Sequence, residues 1–148
     1  MSDLYEDDIL LWSERQAALL RRMAAGERLN DQVDWQNVAE EIESVGNEQL
    51  HQVEALLVQA LLHMLKAEAW PLARDAPHWR AEAIGCRGEA ADRFAPSMRP
   101  RIDLAKIYRR ARQRMPETND GQPPLPVPSE CPVTLDELLA EPPDGDTP

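Results

Sequence analysis

Three groups of side chains in this sequence have the types and spacing to do chemistry. Glu40, Glu43, Asn47, His51 and Glu54 recur at steps of three and four, which gathers carboxylates and an imidazole on one polar helical face. Such a face could hold a metal ion for metal-assisted catalysis, as inward Glu and Glu-x-x-His sets do in helical bundles. The Glu-x-x-His order is missing here, and a charge run on a helix is ordinarily a solvated surface. His63 lies within an apolar run and is a further weak candidate metal ligand. A ring buried there needs partners for its nitrogens, which a backbone carbonyl or a carboxylate such as Glu41 would supply.

The second group is basic. Arg99, Lys106, Arg110 and Arg114 share an outward face, flanked by Arg101, Arg109 and Arg112. Seven cations could meet nucleic-acid phosphates in a salt-sensitive way. The segment has no interleaved aromatics, no Gly-rich loop and no recognisable nucleic-acid module. Pairing with the chain's own carboxylates is the favoured expectation. The third group, Trp70, Arg74, Trp79 and Arg80, surrounds a turn and has the composition of a protein-binding hot spot. Equally, Trp79 belongs to the core and the arginines pair with Glu40 and Glu43. No nucleophile–base pair, P-loop, dinucleotide motif or metal-spaced Cys/His set occurs. No catalytic residue and no cofactor is therefore assigned, and Cys86 reads as a small core residue.

These groups are positioned by one stretch. From Asp34 to Ala67, Trp35, Val38, Ile42, Val45 or Gly46, Leu50, Val53, Leu57, Ala60 and Met64 fall at helical steps, predicting a long central helix with this stripe inward. Apolar residues surround the axis from Leu56 to Leu65, so this part is enclosed by protein. Asp34 is the expected cap, with Val33 and Val38 as a hydrophobic staple. Gly46 interrupts the stretch, yet the stripe keeps its phase, which favours a continuous helix. Pro71 ends it. A first helix is expected from Leu4 to Ala25, with Tyr5, Ile9, Trp12, Leu19 and Met23 inward and Gly26 as its stop. A third starts near Pro77 with Asp75 as cap, and a fourth opens at Ser97 with Pro100 in its first turn.

Residues 116–148 hold nine of the thirteen prolines and no Lys or Arg, a composition with little independent structure. Within them Val133, Thr134, Glu137 and Leu138 form a capping box and staple for a helix of one or two turns at about 134–140. Such a helix is too short to stand alone and must dock through Leu135, Leu138 and Leu139. Docking onto the same chain is preferred to exchange with a second copy.

Composition narrows the setting. The chain has 148 residues, 43% of them hydrophobic, and a net charge of −11. Residues 1–48 carry 4 basic and 12 acidic side chains, and residues 99–114 carry 7 basic and 1 acidic. The acidic start lacks a secretory pattern, Cys86 and Cys131 are isolated, and no run is long enough to cross a membrane. A cytoplasmic location is expected.

The segments VDWQNVAEEIESVG, LLVQALLHMLKAEAWP, HWR at 78–80 and SECPVTLDELL, in this order, resemble the bacterial family known as domain of unknown function 29. The likeness spans about Leu4 to Glu141 and is weaker between Gly85 and Met98. It implies a small helical protein with no assigned activity and no catalytic residues to carry over.

The expectation is an all-α protein: an antiparallel bundle of four main helices over residues 1–115, then a Pro-rich acidic arm, 116–148, with its short helix. The function expected is non-enzymatic binding of a protein partner, by a monomer or homodimer. A metal-assisted enzyme using Glu40, Glu43, His51 or His63 is the alternative, and nucleic-acid binding through residues 99–114 the second.

Overall fold

The computed structural model describes residues 3–141; Met1, Ser2 and residues 142–148, the end of the expected arm, lie outside it. Its regular structure is helical: α1 Leu4–Asp7, α2 Ile9–Ala24, α3 Trp35–Ala69, α4 Ala76–Arg93, a 3₁₀ segment Pro96–Arg101, α5 Leu104–Gln113 and α6 Leu135–Leu139. The described residues contain no strand, only an isolated bridge between Asn119 and Gln122. The chain forms two compact units, Met1–Glu48 and Gln49–Pro148, with the boundary inside α3.

In the first unit, the single helix expected from Leu4 to Ala25 is two. Asp8 leaves helical geometry at φ −152°, ψ 83°, and its side chain accepts from the Leu11 N–H. Asp3 does the same for α1 through the Tyr5 N–H. Asp3 and Asp8 thus offer two caps, and the second wins over helix continuation because Asp favours caps to interiors. Gly26, at φ 105°, ends α2 as expected. The unit's core is Trp12, Val33 and Val38, packed by Leu4, Tyr5, Leu19, Leu20 and Met23. The Val33–Val38 staple is therefore made. Ile9 is exposed, contrary to the expected inward stripe.

The second unit is built on the enclosed half of α3. Val53, Leu57, Val58, Leu61 and Leu65 pack with Ala90 of α4, with Met98 of the 3₁₀ segment, with Ile107, Tyr108 and Ala111 of α5, and with Leu138 of α6. Burying an aliphatic side chain of this size stabilises by about 1.5–3 kcal/mol, so these residues dominate the unit. The expected fourth helix is again two elements. Pro96–Arg101 is 3₁₀ with Pro100 inside, and Asp103 then caps α5 by accepting from the Lys106 N–H. Pro100 cannot donate to a helical ladder and disfavours helical geometry before it, so the helix restarts beyond it. Asp75 occupies the cap position of α4 but makes no capping bond.

Gly46 remains helical within α3. Val45, Gly46, Asn47, Glu48 and Gln49 are all exposed, a run longer than one helical turn. The stripe expected to face inward fails here: Trp35, Ile42 and Val45 are solvent-facing. Period alone locates an apolar face but not its partner.

The Pro-rich segment is ordered by backbone anchors within the second unit. Asn119 and Gln122 exchange backbone bonds of 3.0 and 2.9 Å around Asp120 (φ 50°) and Gly121 (φ 75°). Positive φ at both central residues is the tight-turn geometry that Asp-Gly favours. The Leu125 N–H donates to the Ala69 carbonyl at 2.9 Å, the Tyr108 hydroxyl to Pro128, and Arg112 to Ser129 at 3.2 Å. Helix α6 follows, with Leu138 1% exposed. The Thr134 hydroxyl accepts from the Glu137 N–H at 3.1 Å, the cap the sequence predicts.

Candidate functional site

Each predicted group has a definite place. Glu40 and Glu43 are exposed on the first-unit part of α3, and His51 is exposed on the second-unit part. His51 and Glu54 line a cleft of about 190 Å³ with Ala55, Val58, Arg110 of α5 and Arg114 just past its end. His51 and Glu54 of the first candidate group thus share that cleft with Arg110 and Arg114 of the second. Among the described residues no three His, Cys, Asp or Glu side chains gather as a metal-binding set.

His63 is half-buried, and its Nδ1 is buried without a hydrogen-bond partner. The partner suggested by the sequence, Glu41, is engaged elsewhere: its carboxylate accepts from the Tyr5 hydroxyl. Burial, then the Lys66 and His78 charges, push the His63 pKa down, opposed by Glu82. The ring is held toward its neutral form.

The basic segment departs from the expected compensation. Arg99 pairs with Asp136 at 2.7 Å and lies over the Phe94 ring at 5.4 Å. Arg101, Lys106, Arg109, Arg110 and Arg114 are exposed and make no ion pair among the described residues. A guanidinium the sequence did not single out does more for α6. Arg87 donates from Nε to Leu138 O at 3.1 Å and from Nη2 to Glu137 O at 2.7 Å. These are orphan carbonyls of a helix end, a need that any short helix advertises.

At the turn after α3, Trp70 and Trp79 are buried and meet edge to face at 6.3 Å. Trp70 Nε1 donates to Gln122 O at 3.0 Å, and Lys66 lies 4.8 Å above the Trp79 ring. Both indoles are committed inside the unit. Arg74, Arg80 and Leu72 remain exposed there, Arg80 donating to Pro71 O at 3.5 Å. Leu72 and Arg74 line a hollow of about 550 Å³ with Asp120, Gln122 and Leu125.

The surface that sequence reasoning missed is on the first-unit part of α3. Ile42 is 68% exposed, Val45 64% and Trp35 49%. Ala39 and Gly46 fall on the same line and are also exposed. The α3 start is fixed beneath it. Trp12 Nε1 donates to Asp34 Oδ2 at 3.0 Å, Asn37 Nδ2 to the same oxygen at 2.8 Å, and the Asp34 N–H to Gln16 Oε1 at 2.9 Å. The Asn37 bond, then those from Trp12 and the Asn37 backbone, lower the Asp34 pKa against its burial. The Glu41 bond, reinforced by burial, pushes the Tyr5 phenol up to about 12. These ties hold the start of α3, where Trp35 Nε1 also donates to Asn30 O at 2.7 Å. They leave Ile42 and Val45 solvent-facing, with the exposed carboxylates of Glu43 and Glu48 beyond the edges of the stripe.

No helix among the described residues is long and apolar enough to cross a membrane. A sequence model described as "Domain of unknown function DUF29" matches residues 4–142. The chain is similar to an alpha-helical protein of unknown function from Rhodospirillum rubrum, known from a crystal structure. The two are 28% identical, with 95% of this chain and 92% of the other covered and a TM-score of 0.62. No curated protein matches the chain.

Proposed function

We propose that this chain, which belongs to the domain of unknown function DUF29 family, is a protein-interaction module rather than an enzyme. One observation carries the reading: Trp35, Ile42 and Val45 present apolar side chains to solvent from a helix whose start is pinned at Asp34. Isolated exposed apolar side chains are normal, but a contiguous line rimmed by polar groups is the composition of a contact surface. Burying Ile42 and Val45 against a partner would recover about 1.5–3 kcal/mol each. The exposed Leu72, Arg74 and Arg80 offer a second, smaller contact.

The test is capture from native lysate with the wild-type chain and the double variant Ile42→Ser/Val45→Ser. Both changes are at exposed positions and should leave the melting temperature unchanged. The expected result is a protein retained by the wild type and lost by the variant. Identical captures would overturn the reading.

One observation favours a second reading, nucleic-acid binding through residues 99–114: six of the seven cations there make no ion pair among the described residues. Binding of RNA or DNA that weakens steeply with salt and is lost on changing Arg109, Arg110 and Arg114 to Gln would establish it. A retention unaffected by those changes would dismiss it.

A further inference from the structure

Resting on the interaction reading, we infer that the occupant of the α3 face is a cationic amphipathic helix of a partner protein. The line from Trp35 through Ala39 and Ile42 to Gly46, with Val45 beside it, runs along about 16 Å of helix axis, three helical turns. By helical angle Glu43 falls on one side of this line and Glu48 on the other. Neither makes an ion pair among the described residues, and Glu40 makes none either. Nothing lies within 4 Å of the point a Cβ would occupy on Gly46, so an approaching backbone meets no obstacle there.

Charge decides between occupants. Residues 1–48 carry 4 basic and 12 acidic side chains. Arg15, Arg21, Arg22 and Arg28 are their cations, none of them on α3, and Arg22 is paired with Glu27 at 2.7 Å. A second copy docked through the same face would bring identical carboxylates to identical carboxylates, since a two-fold interface sets one patch against itself. Nucleic acid would be repelled outright. A neutral apolar helix would bury the stripe but leave Glu43 and Glu48 partly desolvated and unpaired. A helix with a Leu- or Ile-type stripe edged by Lys or Arg satisfies both demands, as flanking charges do in paired helices. Complementary charge also speeds encounter and makes association sensitive to salt.

The test uses the full chain and three labelled peptides sharing one leucine heptad stripe, with Lys, Gln or Glu at the remaining positions, followed by fluorescence anisotropy. The Lys peptide should bind roughly tenfold or more tighter than the Gln peptide at low salt, and the Glu peptide not at all. Ile42→Ser/Val45→Ser should weaken the Lys and Gln peptides alike. Glu43→Gln/Glu48→Gln should weaken the Lys peptide alone and bring it to the Gln value. Equal affinity for Lys and Gln peptides would overturn the cationic partner, as would Lys-peptide binding that ignores the Ile42/Val45 change. If lysate capture still shows a partner lost with Ile42 and Val45, the interaction module stands and only this partner class falls. If both experiments fail, the α3 face is not a docking surface.

Discussion

His63 is the side chain whose chemistry the fold leaves unfinished, because its buried Nδ1 has no partner. Burial, Lys66 and His78 lower its pKa from the ordinary 6.5. In the unfolded chain the ring takes a proton near that ordinary value, while the folded chain resists it to lower pH. The unfolded state therefore binds more protons between the two values, and stability falls as pH drops through this window. Above pH 6.5 the ring is neutral in both states and contributes no slope. His63→Leu should flatten the decline in melting temperature between about pH 6.5 and 5.5, the range before carboxylates titrate strongly. A variant whose melting temperature falls as steeply as the wild type's would show that another group carries the effect.

Helix α6 has only five residues, Leu135–Leu139, and is held at both ends by other parts of the chain. Thr134 caps its start, Arg99 pairs with Asp136, and Arg87 occupies its last carbonyls. Arg87→Gln leaves those carbonyls to solvent and removes a charged donor, a loss of about 1–3 kcal/mol in urea unfolding. Truncation before Ser129 should cost more and expose dye-binding apolar surface where Leu138 sat. A truncated protein that melts like the full chain would mean that α6 contributes nothing to the core. For α3 the change runs the other way. Gly46 is helical with space for a Cβ, so Gly46→Ala should stabilise the helix by about 1 kcal/mol, seen as a rise in urea midpoint. No rise would place the unfolding of that turn outside the measured transition.

Across the whole chain, helices and caps were more legible in the sequence than faces and partners. The long α3, its staple, the Gly26 stop and the Thr134 cap all depend on interactions within a few residues, which spacing records directly. The break at Asp8 and the restart at Asp103 were local too, but each competed with a neighbouring signal of similar strength. The direction of the Trp35–Ile42–Val45 line was not legible, since a helical period is the same whether its face meets protein or water. Nor was the Arg87 clamp, which joins positions about fifty residues apart. The exposed turn Val45–Gln49 has a consequence for how α3 opens. Amide hydrogens there are guarded only by helical bonds that solvent surrounds, whereas those from Leu57 to Leu65 sit in packed core. Deuterium should enter α3 first near its middle, at Asn47–His51, with slow exchange near Val38 and the slowest around Leu61, an inversion of the usual fraying from the ends. Uniform protection along the helix would show that the bare turn opens only when the rest does.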